Sequence, residues 1–249
     1  MTALVRSELL KIRTTRGWWV YLIVIVALTG LGAAAEIGSA EDADRGTTGF
    51  QLGLFDIVGV AVIMAVILGI TMVTTEFRHG TVTPTFLAAP VRERVLLAKT
   101  IAGTAVAIFF ALLAVLVVLA VALPWLAVLG VDLNVESGET AERIGRQFLS
   151  TVLWLLIGVA IGCLVQSQVA ALVGTLIWIF LGEQLIAGVF VLLDVEGLIG
   201  YLPFHALDAA DGSGGENLLS HGAGVAVSLG WIALIGALGT ARVRRRDIT

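Results

Sequence analysis

Cysteine, lysine, histidine and tyrosine are all scarce in this chain of 249 residues, and each shortage closes off a class of chemistry. Cys163 is the only cysteine and sits inside an apolar run, so no disulfide forms within the chain. Three scattered histidines and one cysteine make no tetrahedral metal set. The only lysines are Lys11 and Lys99, and neither stands in a GxxxxGK[ST] context, so no phosphate-cradling loop is encoded and nucleotide must bind elsewhere. Ser167 lies in a turn between apolar runs, whereas His205 and His221 lie beyond the opposite ends of those runs; no nucleophile and base share a depth. We therefore expect no catalytic residue, cofactor or metal site in this chain.

Charge is also sparse, at 14% of residues, while 58% are hydrophobic and mean hydropathy is +1.01. That composition belongs in a bilayer. The charges are clustered. Residues 17–35 and 57–75 each form a run of 19 uncharged positions, close to the roughly 20 needed to cross the hydrocarbon core. The uncharged run 100–131 is too long for one helix at ordinary tilt unless its end past Pro124 bends or leaves the core, and we count one span there, about 100–125. A further run from Gln147 to Gly182 is divided by Gln166, Ser167 and Gln168, which predicts spans at about 147–165 and 169–193 joined by a very tight turn. The last span covers about 222–241 and is closed by RVRRR. The expected fold is all-α and integral to the membrane, with six spans in one domain, 1–249.

Orientation follows Lys and Arg in the short loops. With the N-terminus cytoplasmic, 12 basic residues lie inside and 3 outside, and 14 of the 19 acids lie outside. Both termini are therefore predicted to be cytoplasmic, in a plasma-membrane protein. The net charge of −4 averages a basic inner face with an acidic outer one and says nothing about partners. The opening segment with LGAAAE resembles a signal peptide and its cleavage site, but its apolar run of 19 exceeds the usual length, so it is expected to stay as an anchor.

Residues 1–16 predict a helix along the inner surface, with Leu4, Val5, Leu9 and Ile12 on one arc and Glu8 intruding. Residues 36–56 and 132–146, short and acidic, are expected to be solvated connections. LIGYLPFHAL, within 194–221, is too apolar for free solvent and too short to span, which predicts a re-entrant or interface-lying segment before the last span.

The segment 76–99 is the polar interruption that a simple reversal does not need. Thr83 followed by Pro84 offers an N-cap and a proline at the first helical position, and Pro90 biases Ala89 away from helix, so PTFLAA predicts a short isolated helix. Gly80 permits the turn that releases span two, and VRERVLLAK can run into span three without a break. Phe86 and Leu87 are then apolar knobs on a stub fixed to two shafts. Within the membrane, Glu183 is the one acid in a span, with Gln184 adjacent and no Lys or Arg at equal depth; it must face protein or water, either locking helices or lining a path or dimer seam. Gly158 and Gly162 form a GxxxG that permits close helix approach.

SELLKIRTTRGWW before span one, TEFRHGT with the proline pair and VRERVLLAK, and GEQLIAGV followed by YLPFHAL together resemble the type-2 permeases of ATP-binding-cassette (ABC) transporters, especially short actinobacterial ones, over nearly the whole chain. The resemblance implies an N-terminal interfacial helix, a coupling helix in the first inner loop and a re-entrant outer segment. It also implies that residues 83–89 dock in a groove of a separate ABC ATPase, with Glu76, Arg78, Gly80, Thr83, Pro84, Phe86, Leu87, Pro90, Arg92 and Arg94 forming the coupling set. ATP and Mg would then reside in that partner, present in two copies, and six spans imply a second permease copy or a paralogue. The expected function is export of a small hydrophobic substrate, with the bilayer and no nucleic acid as surroundings. The alternative is a non-transporting sensor or assembly anchor whose 76–99 loop docks another cytoplasmic protein. A polysaccharide path is disfavoured because only two tyrosines are present.

Overall fold

The computed structural model describes residues 1–81, 91–133, 137–212 and 219–245. Among them every regular element is helical, and six helices are long and apolar enough to cross a membrane. Helix α1 (Thr2–Thr14) ends where Thr15 turns extended, and α2 (Gly17–Ser39) is the first span. Next come α3 (Thr48–Asp56) and α4 (Gly59–Arg78), which together make the second span of 31 residues. The third is α5 (Arg92–Val128), and the fourth is α6 (Gly138–Val165). The fifth joins α7 (Gln168–Ile177), a π-helical turn (Trp178–Gly182) and α8 (Glu183–Leu192). A 3₁₀ turn (Glu196–Tyr201) and α9 (Pro203–Asp211) precede the last span, α10 (His221–Arg245).

Two expectations are corrected. The connections 36–56 and 132–146 are not merely solvated loops, because α3 occupies 48–56 and α6 begins at 138. Both starts are capped by side chains: Thr47 accepts from the Phe50 N–H, and Ser137 accepts from the Thr140 N–H at 3.1 Å. Once started, α3 buries Gln51, Leu54 and Phe55 on one face, and the Gln51 amide donates to the Asp132 carbonyl at 2.9 Å. Acidity had masked that face, since charge reports where a segment ends in water and not whether it is coiled.

Helix α5 continues through Pro124. Proline removes the bond to residue 120, but Pro124 and Ala120 both lie on the exposed side, away from the packed partners. The reversal between α6 and α7 is as tight as the QSQ sequence implies. Gln166 takes a left-handed conformation at φ 59°, its N–H bonds the Gly162 carbonyl at 3.0 Å, and Ser167 is extended.

Helices α4 and α6 form the axis of the bundle; the apolar windows of both are 61% buried, against 17% for the fifth and sixth spans. Their backbones touch. A Cβ at Gly69 would stand 2.4 Å from the Leu155 carbonyl oxygen, and one at Gly158 2.5 Å from that of Val66, so only glycine fits at either place. The GxxxG of 158–162 is thus used inside the chain, against α4. On one side of this axis Phe55, Phe110 and Leu155 belong to a core shared by α1 to α6, and on the other Ile70, Ile157, Phe204 and Leu207 pack α9 against the bundle.

Candidate functional site

At the basic end of the bundle, four charged side chains from α1, α4 and α5 meet. Glu8, which spoils the apolar arc of α1, is 4% exposed because it points inward, and Lys99, directly before the uncharged run of α5, is 3% exposed. The Lys99 ammonium donates to Glu8 Oε2 at 2.6 Å and to Glu76 Oε1 at 2.7 Å. Lys11 donates to Glu8 Oε1 at 2.6 Å and to the same Glu76 oxygen at 2.8 Å. The chain's only lysines thus alternate with two glutamates, and the group is neutral as a whole. Burial alone would lower the Lys11 pKa, but the hydrogen bonds and charges of Glu76 and Glu8 outweigh it and hold the ammonium above its ordinary value.

Helix α1 is fastened by this cluster to the last turn of α4 and the first turns of α5. Those are the two helices that lead into and out of residues 79–91. Thr83, Pro84, Phe86, Leu87 and Pro90, and with them the short helix expected at 83–89, lie outside the described residues. Gly80 has φ +67°, a left-handed turn directly after α4. Arg78 is exposed and donates to Gln168 Oε1 at 3.2 Å, while Arg92 donates to the Val243 and Arg244 carbonyls at 2.6 and 3.0 Å, closing the end of α10. Arg94 is exposed, and Glu93 pairs with Arg244. Of the coupling-set residues that are described, Glu76 is the buried one, its carboxylate held by the two lysines.

At the acidic end, the carboxylate of Glu183 organises the start of α9. Glu183, 1% exposed, follows the π-helical turn Trp178–Gly182, whose extra residue per turn re-aims the side chain toward α9. Its Oε1 accepts from the Phe204 N–H at 2.9 Å and the Trp178 indole at 3.1 Å; its Oε2 accepts from the His205 N–H at 3.2 Å and lies 2.7 Å from His205 Nδ1. Phe204 and His205 are the second and third residues of α9, whose first is Pro203 and whose cap residue Leu202 offers no side-chain acceptor. Glu183 is therefore the N-cap of α9, supplied from another helix, and its negative charge faces the positive end of the dipole. Asp208, on α9, has its pKa pushed up to about 6 by burial and by Asp211 and Glu183, against an opposing pull from His205. Gln184, next to Glu183, is exposed.

Glu183 was visible in the sequence as the one acid within a span, but its partner was not, because a helix terminus carries no formal charge to count. One signal existed: LPFHAL opens a helix with proline and no capping side chain, so its first N–H groups need an acceptor from elsewhere. The basic cluster had a fainter one, in that each lysine precedes an apolar run, Lys99 directly and Lys11 within a few residues.

Among the described residues no group of three or more His, Cys, Asp or Glu is arranged to hold a metal ion. No curated protein matches the chain. A family model described as "ABC-2 family transporter protein" matches residues 4–182, which contain the basic cluster and the first four spans. The chain belongs to the ABC-2 transporter family, membership that supports its being the membrane-embedded permease subunit of an ABC transporter and that implies association with an ABC ATPase.

Proposed function

We propose that this permease is half of an exporter that moves a small hydrophobic substrate outward, two copies or a copy and a paralogue working with two ATPase subunits that bind ATP and Mg. Both termini and residues 79–91 face the cytoplasm of a plasma-membrane protein. The observation that supports this reading is the four-residue cluster that joins α1, α4 and α5 on either side of residues 79–91. Force applied to a floppy loop dissipates; force applied to a segment whose two flanking helices are tied together moves them as one body. Glu76 belongs to the coupling set in this sense, as a strut, whereas Arg78, Arg92, Arg94 and the 83–89 stub with Phe86 and Leu87 supply the contact. Gln184, exposed on span five, is the member of the Glu183–Gln184 pair left to line a path or a seam.

The test is hydrolysis by the ATPase that co-purifies with the chain. Scrambling residues 84–88 should lower transport-coupled hydrolysis at least ~10-fold, a loss of about 1.4 kcal/mol of coupling. Unchanged hydrolysis would favour a sensor or assembly anchor. In a chain with Cys163 replaced, a cysteine at Thr85 should be labelled by an impermeant maleimide from the cytoplasmic side only; labelling from outside alone would reverse the orientation.

A further inference from the structure

Below the basic cluster lies a cavity of about 550 Å³, and it is built as an amphiphile site. Lys11 and Glu76 form its charged rim, the paired hydroxyls of Tyr21 and Thr71, 3.0 Å apart, form its middle, and Leu68 and Met72 form its floor. From Glu76 to Leu68 is eight residues of one helix, or about 12 Å of depth at 1.5 Å per residue. Polarity therefore falls along the axis of the bundle, from ions through hydroxyls to hydrocarbon. Volume and mixed lining fit a binding site for a molecule of ordinary ligand size.

We propose that this cavity binds a lipid-like amphiphile whose head carries both a cation and an anion, an ammonium–phosphate head being the matching chemistry. The rim decides the head. Two glutamates and two lysines make a neutral but strongly dipolar surface, so a purely anionic head meets the carboxylates and a purely cationic one meets the ammoniums, each with one unfavourable neighbour. A dipolar head satisfies both, with its anion toward Lys11, whose side chain is 45% exposed and has N–H capacity to spare, and its cation toward Glu76. The depth decides the tail: apolar side chains at the floor, in the direction of the membrane interior, accept hydrocarbon and reject a free soluble head. This site is a property of the permease chain alone, so it stands or falls independently of ATPase coupling and of transport direction.

The test uses the purified full-length chain, delipidated in a neutral-sugar detergent, with ligand adducts counted by native mass spectrometry. Three dioleoyl probes differ only in the head: ethanolamine phosphate, glycerol phosphate and trimethylammonium. The dipolar probe should bind at least ~10-fold more tightly than either singly charged one, or about 1.4 kcal/mol. Thr75→Phe, which adds bulk at the cavity wall and leaves the four charges in place, should abolish that preference, and Lys11→Gln should weaken the dipolar probe while improving the trimethylammonium probe. Each variant is compared only where its melting temperature in detergent matches the parent. Equal binding of the three heads, undiminished binding to Thr75→Phe, or equal binding of tailless glycerophosphoethanolamine would each overturn the assignment.

Discussion

The two ends of this molecule bury charge by opposite means. At the basic end, four ionised side chains from three helices neutralise one another. At the acidic end, one carboxylate is neutralised mainly by backbone, through two N–H groups at the start of α9, with an indole and an imidazole completing the set. A network of long side chains can be dismantled one partner at a time, and each removal strands the others. A cap holds one short helix in place and little else. The first arrangement suits the joining of separate helices, the second the placing of a single segment.

Removing one partner from the basic end should have the largest effect. Lys99→Met leaves two buried glutamates sharing Lys11 alone and should cost about 3–5 kcal/mol in thermal or denaturant unfolding in micelles. Neutralising all three buried members together, as Glu8→Gln with Glu76→Gln and Lys99→Met, should recover most of that loss. If the triple variant were no more stable than the single one, the network would not be a closed unit and the contrast between the ends would fail.

Glu183→Leu comes next, at about 2–3 kcal/mol, because it orphans the buried Phe204 N–H and the part-buried His205 N–H at the start of α9. Glu183→Gln should cost less, about 1 kcal/mol, since the amide oxygen still accepts while the charge on the dipole is lost. Equal damage from the two would mean that charge, and not capping, is what α9 requires.

Asp208 sharpens the comparison through pH. Its folded pKa of about 6 lies above the ordinary value of 3.8, so between those values the folded protein holds a proton that the unfolded chain has released. Stability is then greatest below the lower value and falls as pH rises through the window, by about 1–3 kcal/mol, levelling off above it. Asp208→Asn should flatten that fall in a series of melting curves, and a wild-type curve that rises over the same window would contradict the assignment. The smallest effect belongs to Lys11→Gln, at about 0–1 kcal/mol, since Lys11 is half exposed and Lys99 still serves both glutamates.

Much of the fold was legible because hydrocarbon imposes a simple rule on a chain: few charges over about 20 residues. The QSQ turn, the long helix beginning just after Pro90 and the close-packing use of Gly158 and Gly162 all followed from local residue types. The helical state of 48–56 and of 138–146 did not, because Gln51 and Thr140 look like loop residues until a neighbouring helix covers them. Glu8 looked like a flaw in an amphipathic arc for the same reason. Its two lysine partners are 3 and 91 positions away, and no window along the sequence spans both.

By itself the sequence determined that this chain lives in a membrane and how many times it crosses, since hydropathy acts along the chain. Only the tertiary structure decided which charges meet, which carboxylate caps which helix, and where a cavity opens beneath them. Burial turns a charge from a marker of a boundary into a contact that must be satisfied, and the partner that satisfies it is chosen by distance in space.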